Sequence, residues 1–102
     1  MKMEIAEILK RNVGAHMSIV FESESTKRMY EYSRYNFIFE NEKQELYIKE
    51  GMEEEVKQDT CIIDLSAVLS VEERNFYDME RIVIRTLKER ISILIFKFGF
   101  TE

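Results

Sequence analysis

The chain has 102 residues, 45% of them hydrophobic, with 20 acidic against 15 basic side chains and a net charge of −5. That length suits a single domain spanning 1–102 and is too short for two independent cores, while the apolar content is sufficient for folding. The acidic balance excludes nucleic-acid or anionic-membrane binding as a bulk property, because both need a basic surface.

In chain order, Ile5, Ile8, Leu9 and Val13 recur at helical spacing, with Lys2, Glu4, Glu7, Lys10 and Arg11 elsewhere. This predicts a short N-terminal helix, ended by Asn12 and Gly14. In HMSIVFES, Met17, Ile19 and Phe21 alternate against His16, Ser18 and Val20, which is a strand pattern. ESESTKR is a polar loop. Tyr30 and Tyr32, then Tyr35, Phe37 and Phe39, form two alternating aromatic sets whose parity shifts near Ser33–Arg34, so a bulge or bend is expected there. YNFIFENEKQELYIKEG reads as a hairpin with a four-residue loop at Asn41–Gln44, pairing Phe39 with Leu46, Ile38 with Tyr47 and Phe37 with Ile48. Gly51 ends it, MEEEVKQD is an acidic connection, and TCIIDL is a short strand whose Asp64 is placed to start a turn or cap a helical turn.

The densest apolar stretch, RIVIRTLKERISILIFKFGF, has two local readings. Residues 71–88 as a helix put Phe76, Met79, Ile82, Val83 and Leu87 on one side, and Ser70 with Glu73 has capping-box spacing. No Gly, Asn or Pro ends such a helix around Lys88 to Arg90. As a hairpin turning at Lys88–Glu89, the pairs are Arg85 with Ser92, Ile84 with Ile93 and Val83 with Leu94. Ile82, Ile84, Thr86, Ile91, Ile93 and Ile95 then share one face. Lys-Glu is a poor tight turn, which a longer loop would relieve.

The hairpin leads to an α+β, mainly β fold: a short N-terminal helix followed by an antiparallel meander of about six strands, with curling into a small barrel as one outcome. The alternative keeps 71–88 as a second amphipathic helix packed on a smaller sheet. The helix-then-strands order resembles the layout of Sm-like small barrels. CIIDLSAVLSVEE followed by a late hairpin is similar in layout to pleckstrin-homology-like domains. The loop signatures through which Sm-like proteins form rings and bind RNA are missing from this sequence, as is the C-terminal helix of the second family.

Chemistry-bearing patterns are sparse. His16 and Cys61 are the single histidine and cysteine, so no disulfide and no Cys/His zinc site is expected, and no nucleophile motif frames them. Cys61, beside Ile62 and Ile63, reads as a small buried hydrophobe. Glu53, Glu54 and Glu55 are consecutive and read as a solvated loop. The three glycines form no phosphate-cradling loop. No catalytic residue, cofactor or metal is therefore expected. MKMEIAEILKRN has no apolar signal-peptide core and ISILIF is too short to span a bilayer, which points to the cytoplasm and to no membrane contact. Frequent Ile, Lys and Glu with scarce Ala and Gly and no Pro is the bias of AT-rich codons, as in a low-GC bacterium or its phages.

Two groups are candidates for partner binding. Tyr30, Tyr32 and Tyr35 lie near Arg28 and Arg34, a combination common in protein hot spots. The last strand is apolar on both faces, with Ile91, Ile93 and Ile95 on one and Leu94, Phe96, Phe98 and Phe100 on the other. Such a strand must be covered twice, so Phe96, Phe98 and Phe100 are expected at a homo-oligomer or protein-partner interface. Arg81, Arg85, Lys88 and Arg90 are the nearest approach to a basic strip, with Glu80 and Glu89 interspersed. The leading expectation is a non-enzymatic interaction or assembly module that self-associates through an apolar sheet face. The alternatives are a small acidic inhibitor or mimic from a phage or mobile element, and a small-ligand-binding β domain.

Overall fold

The computed structural model describes residues 2–51 and 60–97, with side chains from Ile5 onward. Helix α1, Lys2–Arg11, buries Ile5, Ile8 and Leu9 as their spacing predicts. The Asn12 side-chain amide donates to the Ile8 carbonyl at 3.0 Å, and Gly14 turns the chain at φ +93°. That left-handed conformation favours glycine. Val13, grouped with the helix face in sequence, lies beyond the helix and is exposed.

Eight strands follow among the described residues: β1 His16–Glu22, β2 Lys27–Tyr32, β3 Tyr35–Glu40, β4 Glu45–Glu50, β5 Cys61–Asp64, β6 Val68–Asn75, β7 Met79–Thr86 and β8 Arg90–Phe96. They form two antiparallel sheets, β2-β1-β8-β7-β6 and β3-β4-β5. The fold is α+β and mainly β. The meander of about six strands is corrected to eight in two sheets, and no barrel closes. The reason is long-range: β1 pairs with β8, while the chain between β2 and β6 leaves to build the second sheet. The parity shift at Ser33–Arg34 is that departure. The Glu50 carboxylate accepts from the amides of Ser33 at 2.7 Å and Arg34 at 2.9 Å, so Tyr32 ends one sheet and Tyr35 starts the other, both facing the core.

The β3–β4 hairpin has the register expected from its sequence, with Phe39 opposite Leu46 and Phe37 opposite Ile48. Asp64 caps a short 3₁₀ turn, Leu65–Ala67, by accepting from the Ser66 amide at 2.9 Å. The helical alternative for 71–88 is overturned: those residues belong to β6, β7 and their connections. A helix would have gathered Leu87 with Ile82 and Val83, yet Leu87 is 88% exposed. The β7–β8 register also differs from the expected one. Arg85 faces Arg90 and not Ser92, because the loop is Thr86–Glu89. The Thr86 hydroxyl accepts from the Glu89 amide at 3.1 Å and the Lys88 amide at 3.3 Å, which organises a turn that lacks glycine. A two-residue shift preserves parity, so the faces are as expected.

Both sheets and α1 share one core. Strand β8 is the middle strand of the larger sheet, and its Ile91, Ile93 and Ile95 meet Met17, Ile19 and Phe21 of β1 and Ile82 and Ile84 of β7. Glu80 is the buried acidic member of this inner face, only 4% exposed, with the exposed Glu73 on the same face. Glu80 is held by Arg11 of α1 at 3.2 Å, with Lys97 at 3.8 Å. Replacing Ile93 by Ala should lower unfolding free energy by about 2–5 kcal/mol, as for other buried large-to-small changes. Ser92→Ala, on the opposite face, should cost under about 1 kcal/mol. Urea denaturation of the two variants checks the parity of β8, and equal losses would contradict it.

Candidate interaction surface

The outer face of the five-stranded sheet follows from the strand registers. Across β2-β1-β8-β7-β6, one level carries Glu31, Ser18, Leu94, Arg81 and Arg74. The next carries Met29, Val20, Ser92, Val83 and Glu72, and the third Lys27, Glu22, Arg90, Arg85 and Ser70. Beyond the first level lie His16, Phe96 and Met79. Val20, Met79, Leu94 and Phe96 are half-buried and Met29 is 58% exposed. Val83 is only 6% exposed although it belongs to no part of the core cluster. It shares a shallow concavity of about 320 Å³ with Phe76, Glu72 and the arginines Arg74, Arg81, Arg85 and Arg90, whose long stems can cover apolar neighbours while their heads stay wet.

Within this face the arginines stand directly opposite one another, Arg74 against Arg81 and Arg85 against Arg90. Like charges in opposed positions destabilise a sheet. Arg90 is relieved by Glu22 at 3.1 Å. Among the described residues Arg74, Arg81 and Arg85 have no ion pair. In linear sequence Glu80 and Glu89 dilute this cluster, but in the fold Glu80 points into the core and Glu89 lies in the turn, 4.0 Å from Arg28. The missed signal was the two-residue period of ERIVIRT, which sends both arginines to one side and Glu80 to the other.

The candidate partner-binding residues do not come together. Tyr32 and Tyr35 are fully buried, and Tyr30 is half-buried on the inner face, edge-on to Phe21 at 5.7 Å. The Tyr35 hydroxyl donates to the Leu9 carbonyl at 2.5 Å; burial, with the charge of Glu80, raises its pKa. These tyrosines spend their rings on the core, apart from Tyr30's exposed edge. Phe96 lies on the outer face of the large sheet, edge-on to His16 at 5.5 Å. Phe98 and Phe100, like Glu53, Glu54 and Glu55, lie outside the described residues.

His16 sits on the outer face of the large sheet and Cys61 on the inner face of the small one, with the core between them, so they form no nucleophile–base pair. No group of three or more His, Cys, Asp or Glu is placed to hold a metal among the described residues. No helix there is long and apolar enough to cross a membrane. Two other concavities exist: a cleft of about 500 Å³ between the 3₁₀ turn and the β7–β8 loop, and a groove of about 460 Å³ between α1 and β3. In the first, the Asp64 carboxylate is already engaged by Ser66. An apolar row of Ile38, Tyr47 and Ile62 crosses the outer face of the small sheet, adjoining the chain next to residues 52–59. Neither family models, curated proteins nor solved structures match this chain.

Burial pushes the Cys61 thiol up to about 11 from an ordinary value of 9.0. A raised folded-state value keeps the thiol neutral, so its contribution to stability is complete below pH ~9 and is lost as pH rises toward ~11. At pH 8, alkylation by iodoacetamide should therefore be at least about tenfold slower in native than in urea-unfolded protein, read by mass spectrometry. Equal rates would contradict the burial of Cys61.

Proposed function

We propose that this protein is a non-enzymatic interaction module that self-associates through the outer face of its five-stranded sheet. The observation that carries the reading is the two-sided apolar character of the central strand. With Ile91, Ile93 and Ile95 in the core, Leu94 and Phe96 are left on the outer face beside Val20, Met79 and Val83. That patch is continuous across the three central strands, and an apolar patch rimmed by charge is a common protein-contact surface.

Five strands about 4.8 Å apart and about 3.3 Å per residue give a face roughly 20 Å on a side, about 400 Å² per copy, which is the scale of a weak association and not of a tight one. The −5 net charge of the whole chain weighs against a nucleic acid as a bulk partner, although this face by itself carries more cations than carboxylates. A single free cysteine suits a reducing compartment such as the cytoplasm. The acidic-inhibitor reading rests on small size, acidity and AT-rich composition, and gains no further support from the described residues. The ligand-binding reading gains little, since neither concavity gathers unengaged catalytic groups.

Light scattering at about 100 μM should give twice the 12.3 kDa chain mass. Leu94→Lys should raise the dissociation constant by about a hundredfold, equivalent to about 2.7 kcal/mol, with an unchanged circular dichroism spectrum. A strictly monomeric wild type, or an assembly indifferent to Leu94→Lys, would overturn the proposal.

A further inference from the structure

Resting on that self-association, we infer that the assembly is an isologous dimer with its twofold axis along β8, in which each arginine cluster receives carboxylates from the other copy. Two-fold dimers are the commonest closed assemblies, and the axis of a face-to-face pair lies in the interface plane. It can run along the strands or across them, and the registers distinguish these options.

Because β8 is third of five strands, an axis along it lays β2 over β6 of the second copy and β1 over its β7, level by level. Glu31 then meets Arg74 of the second copy, Glu22 meets Arg85, and Val20 meets Val83. Leu94, Phe96 and, at the far end of the strand, Arg90 meet their own equivalents on the axis, and Met29 meets Glu72. Two arginines that have no ion pair among the described residues thereby gain carboxylates, and the apolar residues stack at the centre.

An axis across the strands would lay each strand over its own inverted copy. Arg81 would then face Arg85, and Leu94 would face Arg90. That arrangement sets cation on cation and buries charge against leucine, both of which cost free energy. Across the strands only Glu31 against Lys27 is complementary. Along β8 the Glu31–Arg74 and Glu22–Arg85 contacts, each made twice, outweigh the single contact of Arg90 with its equivalent, so complementary charge favours that axis. Packed sheets lie about 10 Å apart and skew by about 30°, which displaces the outermost strands by roughly 5 Å. Arginine and glutamate side chains are long enough to absorb that offset. The face carries more cations than carboxylates. The surplus includes Lys27, on edge strand β2, and Arg90, which faces its own equivalent at the end of β8 and is held there by its own Glu22.

The experiment is a charge exchange at the outermost pair, where both residues are exposed and neither has a partner among the described residues. Glu31→Arg and Arg74→Glu are made separately, and sedimentation velocity is run on each and on their equimolar mixture. Each variant alone should dissociate about tenfold more readily than wild type, because like charges then face across the axis. The mixture should recover to within about threefold, since the heterodimer restores one opposite-charge contact of each sense. A wild-type dimer unaffected by either change, or variants that weaken without recovery on mixing, would overturn this geometry while leaving self-association standing. A monomeric wild type would overturn both.

Discussion

The constraint on which this structure depends is the two-residue period of β8 at the middle of the larger sheet. Its neighbours on both sides must bring their own apolar sets to the same face, and they do: Met17, Ile19 and Phe21 from β1, Ile82 and Ile84 from β7. A slip of one residue in either ladder would turn isoleucines outward and serines or arginines inward, so both registers are tightly specified. Parity then leaves no freedom on the other side. Once Ile91, Ile93 and Ile95 are inside, Ser92, Leu94 and Phe96 are outside, and Arg81 and Arg85 share that outer face with them. The candidate surface is therefore fixed by the same pattern that builds the core.

Glu80 shows how the end of that core is closed. It stands level with Ile95 and would be an unpaired charge in an apolar layer without Arg11 and Lys97. A buried carboxylate with missing partners is expensive, whereas one clamped from two elements fixes their relative positions. Helix α1, at ten residues, is too short to persist alone in water and relies on such anchoring. The Leu9 carbonyl at its end accepts from the Tyr35 hydroxyl, and Gly14 and Ala15 exchange backbone hydrogen bonds with Tyr35. The first fifteen residues thus tie the large sheet at Glu80 to the small sheet at Tyr35. Tyr35 serves as a joint between layers, which accounts for its complete burial.

What could be read from the sequence was local. The helix face of Ile5, Ile8 and Leu9, the alternation of β1 and the register of the β3–β4 hairpin all follow from neighbours within about a dozen residues. Residues 71–88 were ambiguous for a physical reason. Phe76, Met79, Ile82, Val83 and Leu87 recur at helical spacing because β7 is apolar on both faces, Ile82 and Ile84 toward the core and Met79 and Val83 away from it. The division into two sheets hinges on β1 pairing with β8, some seventy positions away, which no local pattern encodes. For the surface, alternation sent Phe96 to the opposite side from the isoleucines. It could not say which face of β2 turns inward, where Tyr32 joins the core and Tyr30 packs half-buried against it. The arginine cluster was hidden by adding charges along the chain, where Glu80 cancels Arg81, although the two point to opposite sides.

The sheet edges bear on how such a molecule would associate. Strand β6 presents a bulge and Glu72, Glu73 and Arg74, and strand β2 presents Lys27, Arg28 and Glu31. Bulges and charges on edge strands hinder the backbone pairing through which sheets extend into open fibres. The outer face has the opposite character: its centre is apolar, and its arginines are set against one another at a cost to the isolated chain. Contacts through blunted edges would be open-ended, whereas contacts through one face of one sheet close after two copies. The blunted edges and the arginine-lined outer face are the two features on which the proposed closed pair rests.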